Sequence, residues 1–188
     1  MNNDERYSPQ WIIDGARAVM GGIDLDPASS AAANARVGAA RYYDTETDGL
    51  ARPWSGRLFL NPPYSSCSTW VERLAAEVER RRVAQAVLLC PIRSLCQIVN
   101  RHQSLLRGSL LLPTKRITYL DLRTGKMIGP PFGSLMIYLG PHQLRFAQAF
   151  QTHGTILRPA PNFGLRLAGG GPGLSGLLPC KQEIGERT

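Results

Sequence analysis

The chain has 188 residues, of which 43% are hydrophobic, the size of one domain built on a single sizeable core. Its 22 basic and 14 acidic residues leave a net charge of +8, which points to a polyanionic partner. No apolar run reaches the roughly 18 to 20 residues that cross a bilayer, and the start MNNDERYSPQW has neither a basic nor an apolar leader segment, so a cytoplasmic protein is expected. Cys67, Cys90, Cys96 and Cys180 form no C-x-x-C pair and the three histidines are scattered, which indicates neither a disulfide framework nor a metal site.

From Pro9 to Met20, Trp11, Ile12, Ala16 and Val19 fall near helical spacing, with Ser8 as the expected N-cap and Gly21-Gly22 as the stop. IDLDP predicts a short strand over 23–26, closed by Pro27. The alanine-rich run that follows is weakly helical, and DTETDGL is a polar connection. RLFL is a strand, and Trp70, Val71, Leu74 and Val78 mark an amphipathic helix after it. AQAVLLCP reads as a fully buried strand and SLCQIVNRHQSLL as a helix. SLLL, RITYL and GSLMIYLG are further strands, the last two joined across DLRTGKMIGPPF. HQLRFAQAFQTHG is the last helix and TILRP the last strand. Strands alternating with helices, several of them apolar throughout, predict an α/β domain with a mostly parallel sheet covered on both faces, over residues 1–160. Residues 161–188 are rich in Gly and Pro without periodicity, and are expected to be a disordered tail.

The strand RLFL ends in Asn61-Pro62-Pro63-Tyr64. In an open α/β sheet, ligands sit beyond the carboxyl ends of the strands. Proline fixes φ and lacks an N–H, so the carbonyls around Pro62 and Pro63 are expected to hold a set direction with no local donor. Together with the Asn61 side-chain oxygen they can accept from a planar amino group, and Tyr64 supplies a ring for stacking. Two acceptors on one NH₂ draw its lone pair out of conjugation and make the nitrogen nucleophilic, a catalysis of positioning and electrostatics.

NPPY after an apolar strand is similar to the catalytic motif of S-adenosylmethionine-dependent methyltransferases that act on planar nitrogen. The ordered series YSPQW, IDLDPAS, RYYDTETDGLARPWSGRLFLNPPYS, VLLCPIR and PPFGSLMIYLG resembles the phage-type DNA adenine methyltransferases over about residues 7–158. The resemblance implies a single three-layer Rossmann-like domain that methylates the 6-amino group of adenine in double-stranded DNA, in a bacterial host. Asn61 and the Pro62 carbonyl would hold the amine, next to Pro63, and Tyr64 would stack on the flipped base.

It further places the cofactor near Ser8, Pro9, Asp24, Asp26, Pro27 and Ala28, with Asp48 accepting from its adenine amine. Carboxylates at strand ends suit an ammonium and ribose hydroxyls, all donors. The chain departs from the wider superfamily in having DPASSAAAN, with no G-x-G, after its first acidic strand, and IDLDP aligns with either the first cofactor strand or the second. Arg93, Lys115, Arg116, Arg123 and Lys126 are the expected phosphate contacts, while Arg80-Arg81-Arg82 fits either a DNA contact or a helix-end charge cluster. The rival activities are methylation of the cytosine 4-amino group or of a protein glutamine, and a DNA-binding relative without catalysis. A monomer is expected, with a homodimer as the alternative.

Overall fold

A computed structural model describes residues 7–121, 124–130 and 132–159; the tail lies outside them. The elements run α1 (Gln10–Met20), β1 (Leu25–Asp26), α2 (Ala31–Val37), β2 (Arg41–Tyr42), β3 (Gly56–Leu60), α3 (Cys67–Glu79) and β4 (Val83–Pro91). They continue with α4 (Ser94–Arg101), a 3₁₀ turn (Gln103–Arg107), β5 (Ser109–Pro113), β6 (Tyr119–Asp121), β7 (Lys126–Ile128), β8 (Ser134–Leu139), α5 (Gln143–Phe150) and β9 (Gly154–Leu157). No helix among the described residues is long and apolar enough to cross a membrane.

Seven strands form one sheet in the order β2-β1-β3-β4-β8-β5-β9. Its β2-β1-β3-β4 half is parallel, whereas β8 runs antiparallel to both β4 and β5, and β9 antiparallel to β5. Five strands, β2, β1, β3, β4 and β5, therefore share one direction, and the mostly parallel sheet is made mixed by β8 and β9 alone. The cause is the connection from β5 to β8: it carries no crossover helix, so the chain re-enters the sheet from the end at which it left.

Alternation along the strands explains their unbroken apolarity. Phe59, Val87, Leu89, Met136 and Tyr138 pack with Ile12, Ile13 and Val19 of α1 and Phe146 and Phe150 of α5. Leu58, Leu60, Ala86, Leu88, Leu135 and Ile137 pack with Trp70, Val71 and Leu74 of α3 and Ile98 of α4. Neighbouring residues thus serve opposite faces, and each face has its own helical layer.

Several local expectations change. Ser8 does not cap α1: Pro9 holds the N-cap position and its carbonyl accepts from Ile12 N and Ile13 N, while the Ser8 hydroxyl is bonded elsewhere. RITYL does not join the main sheet. β6 instead pairs with β7, within the segment expected to be a connection, as a two-stranded ribbon. Of the arginine run, Arg80 and Arg82 face Glu77, a fully buried carboxylate that Arg73 also reaches at 3.2 Å. These two arginines are therefore committed to an internal charge.

β1 has only two residues and one paired register position with β3, Leu25 opposite Leu58. Side chains reinforce it: Arg57 donates from Nη2 to Asp24 Oδ1 at 2.6 Å and from Nε to Oδ2 at 2.9 Å, and Arg57 N also reaches Oδ2 at 2.8 Å. The guanidinium holds the Asp24 carboxyl below its usual range. A depressed folded-state pKa contributes stability that is present above the unfolded value and lost as pH falls through the folded one. Asp24→Asn should thus be less stable than the parent by about 1 kcal/mol near neutral pH. Urea denaturation should show that gap closing as pH is taken down from the ordinary value of 3.8.

Candidate active site

From β1 the chain moves outward to β2 and then returns to the other side of β1 as β3. The crevice beyond the carboxyl ends of β1 and β3 is therefore a topological switch point, where open α/β sheets bind ligands. The same order places IDLDP within the sheet. It lies directly beside the strand carrying Asn61 and fills the inner position, while β2 is the outer one.

Two adjoining cavities occupy the crevice. The larger, about 370 Å³, is lined by Pro27, Ala28, Tyr43, Asp48, Pro63 and Trp70 among others, and its size suits a small-molecule ligand. The smaller, about 40 Å³, includes Ser8, Asp26 and Arg36 in its walls. Asn61 and Tyr7 line both, so Asn61 stands at the partition.

Asn61 donates from Nδ2 to Ser8 Oγ at 3.0 Å. With the amide nitrogen directed at Ser8, the side-chain oxygen is carried on the opposite edge of the amide plane. The Pro63 carbonyl does not stay without a local donor as expected, because Ser66 N donates to it at 3.3 Å in the turn leading to α3. No hydrogen bond from the described residues reaches the Pro62 carbonyl. Tyr64 lines neither cavity. It is buried, meets Tyr119 edge to face, and its hydroxyl lies 2.6 Å from Tyr119 Oη and 2.7 Å from Ser134 Oγ. Burial pushes its pKa upward. A stacking role would require this ring to be uncovered; here it anchors the turn.

The acidic residues divide. Asp24 is held by Arg57 and lies outside both cavity linings. Asp26 is 3% exposed, and burial pushes its pKa to about 7 against weaker opposing bonds from Ser29 and Ala28 N. Asp48 lines the larger cavity at a positive φ of 49° and accepts from Leu50 N at 3.1 Å. Asp44, which sequence reasoning passed over as part of a polar connection, lines it too. Thr47 N and Thr47 Oγ1 donate to Asp44 Oδ1 at 2.9 and 2.8 Å, holding its carboxyl below the usual range. Gly49 completes this wall. A Cβ there would collide with the Pro27 carbonyl oxygen, so only glycine lets the loop close against β1. Pro9 is spent as the helix cap. Among the described residues no cluster of His, Cys, Asp and Glu could hold a metal ion.

Residues 1–103 match the profile of the family described as DNA N-6-adenine-methyltransferase (Dam). The chain belongs to the Dam family. No curated protein matches it. The Dam match spans α1 through α4, and so contains Asp26, Asn61 and both cavity linings. The β6-β7 ribbon and the strands after it lie beyond the matched segment.

The cations expected at the rim are spread between the two regions. Arg93, past the end of β4, donates to the Tyr64 carbonyl at 3.0 Å and lies over the Phe132 ring, 4.9 Å from its centroid. Arg116 donates to the Pro130 carbonyl at 3.2 Å. Lys115 is exposed, Lys126 is exposed on β7, and Arg123 lies outside the described residues. Among them Met127 and Phe132 stand about half exposed, at 51% and 47%, an apolar feature that composition alone did not reveal.

The buried Asp26 has a measurable consequence. Its folded-state pKa is raised, so between about pH 4 and pH 7 the folded protein keeps a proton that the unfolded chain has lost. Stability falls across that window and levels off above it. Asp26→Asn should match the parent near pH 4 and exceed it at pH 8 by on the order of 4 kcal/mol. Chemical denaturation at the two pH values checks this.

Proposed function

We propose that the protein transfers a methyl group from S-adenosylmethionine to the 6-amino group of adenine in double-stranded DNA, as an enzyme of phage or prophage type. The observation that carries this proposal is the Asn61 amide. It is oriented by Ser8, stands at the end of β3 beside the Pro62 carbonyl, and forms the wall shared by two cavities at the switch point of a Dam-family chain.

The residues present suit the cofactor. The larger cavity combines carboxylate acceptors, Asp44 and Asp48, with the aromatic walls Tyr43 and Trp70, a set matched to ribose hydroxyls and an adenine ring. Asp26, in the adjoining cavity near Pro27 and Ala28, offers a carboxylate to an ammonium. When bound, S-adenosylmethionine supplies an electrophilic methyl group. Asn61 Oδ1 and the Pro62 carbonyl accept from the two N–H bonds of the target amine, which localises its lone pair and orients it for attack. Pro63 shapes the cavity wall, and Tyr64 holds the turn through its hydroxyl contacts. The target base must leave the duplex to reach this position.

Support for DNA as the substrate comes from the net charge of +8 and from Arg93, Lys115, Arg116 and Lys126 on the loops and ribbon near the carboxyl end of the sheet. Phosphates would meet these cations, with Arg123 in the same stretch of sequence.

Incubation with plasmid DNA and isotopically labelled S-adenosylmethionine, followed by nucleoside mass spectrometry, should yield labelled methyladenine. Label in methylcytosine, or on glutamine in protein, would reject the substrate assignment. Asn61→Ala should abolish transfer while leaving S-adenosylhomocysteine binding within a few-fold, because the lost contact acts on the amine. Near-normal turnover in that variant would overturn the role of Asn61. DNA affinity should fall steeply between low and physiological salt as phosphate counterions are released. A flat salt response, measured by fluorescence anisotropy, would exclude the cationic rim as a DNA contact.

A further inference from the structure

One buried donor near the site has no use in the chemistry above. Arg36, on α2, helps line the small cavity, and its Nε is buried without a hydrogen-bond partner. The residue makes no ion pair among the described residues. An unmet buried N–H of a charged group is costly, and the guanidinium that carries it belongs to a residue in the wall of the small cavity. Asp26 and Arg36, an acid and a base, share this cavity, which adjoins the larger one through Asn61, Tyr7, Ala28 and Ala33.

Part of the backbone around the cavity is already engaged. The segment after β1 lacks a G-x-G turn, and the Ala33 N–H in the first turn of α2 is already taken by Ser30 Oγ at 3.1 Å. The Asn34 N–H is taken by the Ser30 carbonyl. Arg17, the other arginine at this helix, donates to the Val37 and Arg36 carbonyls and so closes the far end of α2. A carboxylate entering the small cavity would find Arg36 as its cationic donor.

We propose that the small cavity is a zwitterion site for an α-amino-acid group, in which Arg36 binds the carboxylate while Asp26 receives the ammonium. This rests on the cofactor assignment above, and makes Arg36 the residue that distinguishes the amino-acid end of the cofactor from the nucleoside end. Guanidinium and carboxylate form charge-assisted, geometrically matched bonds, which a lysine reproduces only in part.

Calorimetric titration of the full chain with two probes tests it. S-Adenosylhomocysteine carries the amino-acid group, and methylthioadenosine shares the nucleoside and thioether but lacks that group. Arg36→Gln should weaken S-adenosylhomocysteine at least tenfold and change methylthioadenosine less than twofold, with an unchanged thermal melt. Arg36→Lys, which keeps the charge and gives a second folded variant, should show an intermediate and equally selective loss. Parent-like affinity for S-adenosylhomocysteine in both variants, or equal losses for the two probes, would overturn the role of Arg36 and leave the methyltransferase assignment standing. Failure of the parent chain to bind either probe would overturn the cofactor assignment itself, and the zwitterion site with it.

Discussion

The paired bonds between Asp24 and Arg57 are the constraint on which the site depends. A strand of two residues cannot hold its position through backbone pairing alone, yet the ends of β1 and β3 must lie level for the crevice between them to exist. The carboxylate grips both the Arg57 backbone N–H and its guanidinium, while Asp24 N donates to the Arg57 carbonyl at 2.8 Å. These contacts lie at the end of the strands remote from the ligand. Charge is used there to align the sheet, leaving Asp26 and Asn61 at the other end to face the cavities.

Rigidity at the Asn61 turn is likewise supplied by polar groups. Prolines restrict its backbone, Ser8 orients its amide, and the hydroxyls of Tyr64, Tyr119 and Ser134 form a buried cluster in which each contacts the other two. Apolar packing tolerates small shifts, whereas a satisfied hydroxyl cluster has one geometry. Such directional support suits a group that must meet a planar amine at a defined angle.

Much of this architecture was legible in the sequence because hydrophobic periodicity is a local property. The α3 face of Trp70, Val71 and Leu74 is one example, and the apolar run of β4 another. The strand ending in Asn61 carried its turn chemistry in two prolines. What could not be read were contacts between distant segments. Ser8 looks like a helix cap because its partner, Asn61, is 53 residues away. Tyr64 looks like a stacking ring because Tyr119 and Ser134 are remote in sequence. Asp24 and Asp26 are indistinguishable along the chain, and Arg57 on a neighbouring strand decides which of them is engaged. The direction of β8 depends on the absence of a crossover helix between β5 and β8, and no local pattern in RITYL shows that it pairs with β7 and not with the seven-stranded sheet. β2 and β7, at two and three residues, are too short to show alternation.

The ribbon has a further consequence, for how the protein opens. Tyr7 N and Leu120 N each donate to the other residue's carbonyl, at 3.3 and 3.0 Å, so β6 is bonded to the segment that supplies Ser8. The next residue back, Tyr119, holds Tyr64. Two arms of the chain that flank the Asn61 turn are thus fastened to one short hairpin, which is itself paired to no strand of the main sheet. The ribbon is in turn tied to the main sheet through Ser134 of β8, which bonds both Tyr64 and Tyr119. A fluctuation that frees the ribbon would release the orienting serine and the buried tyrosine in the same event.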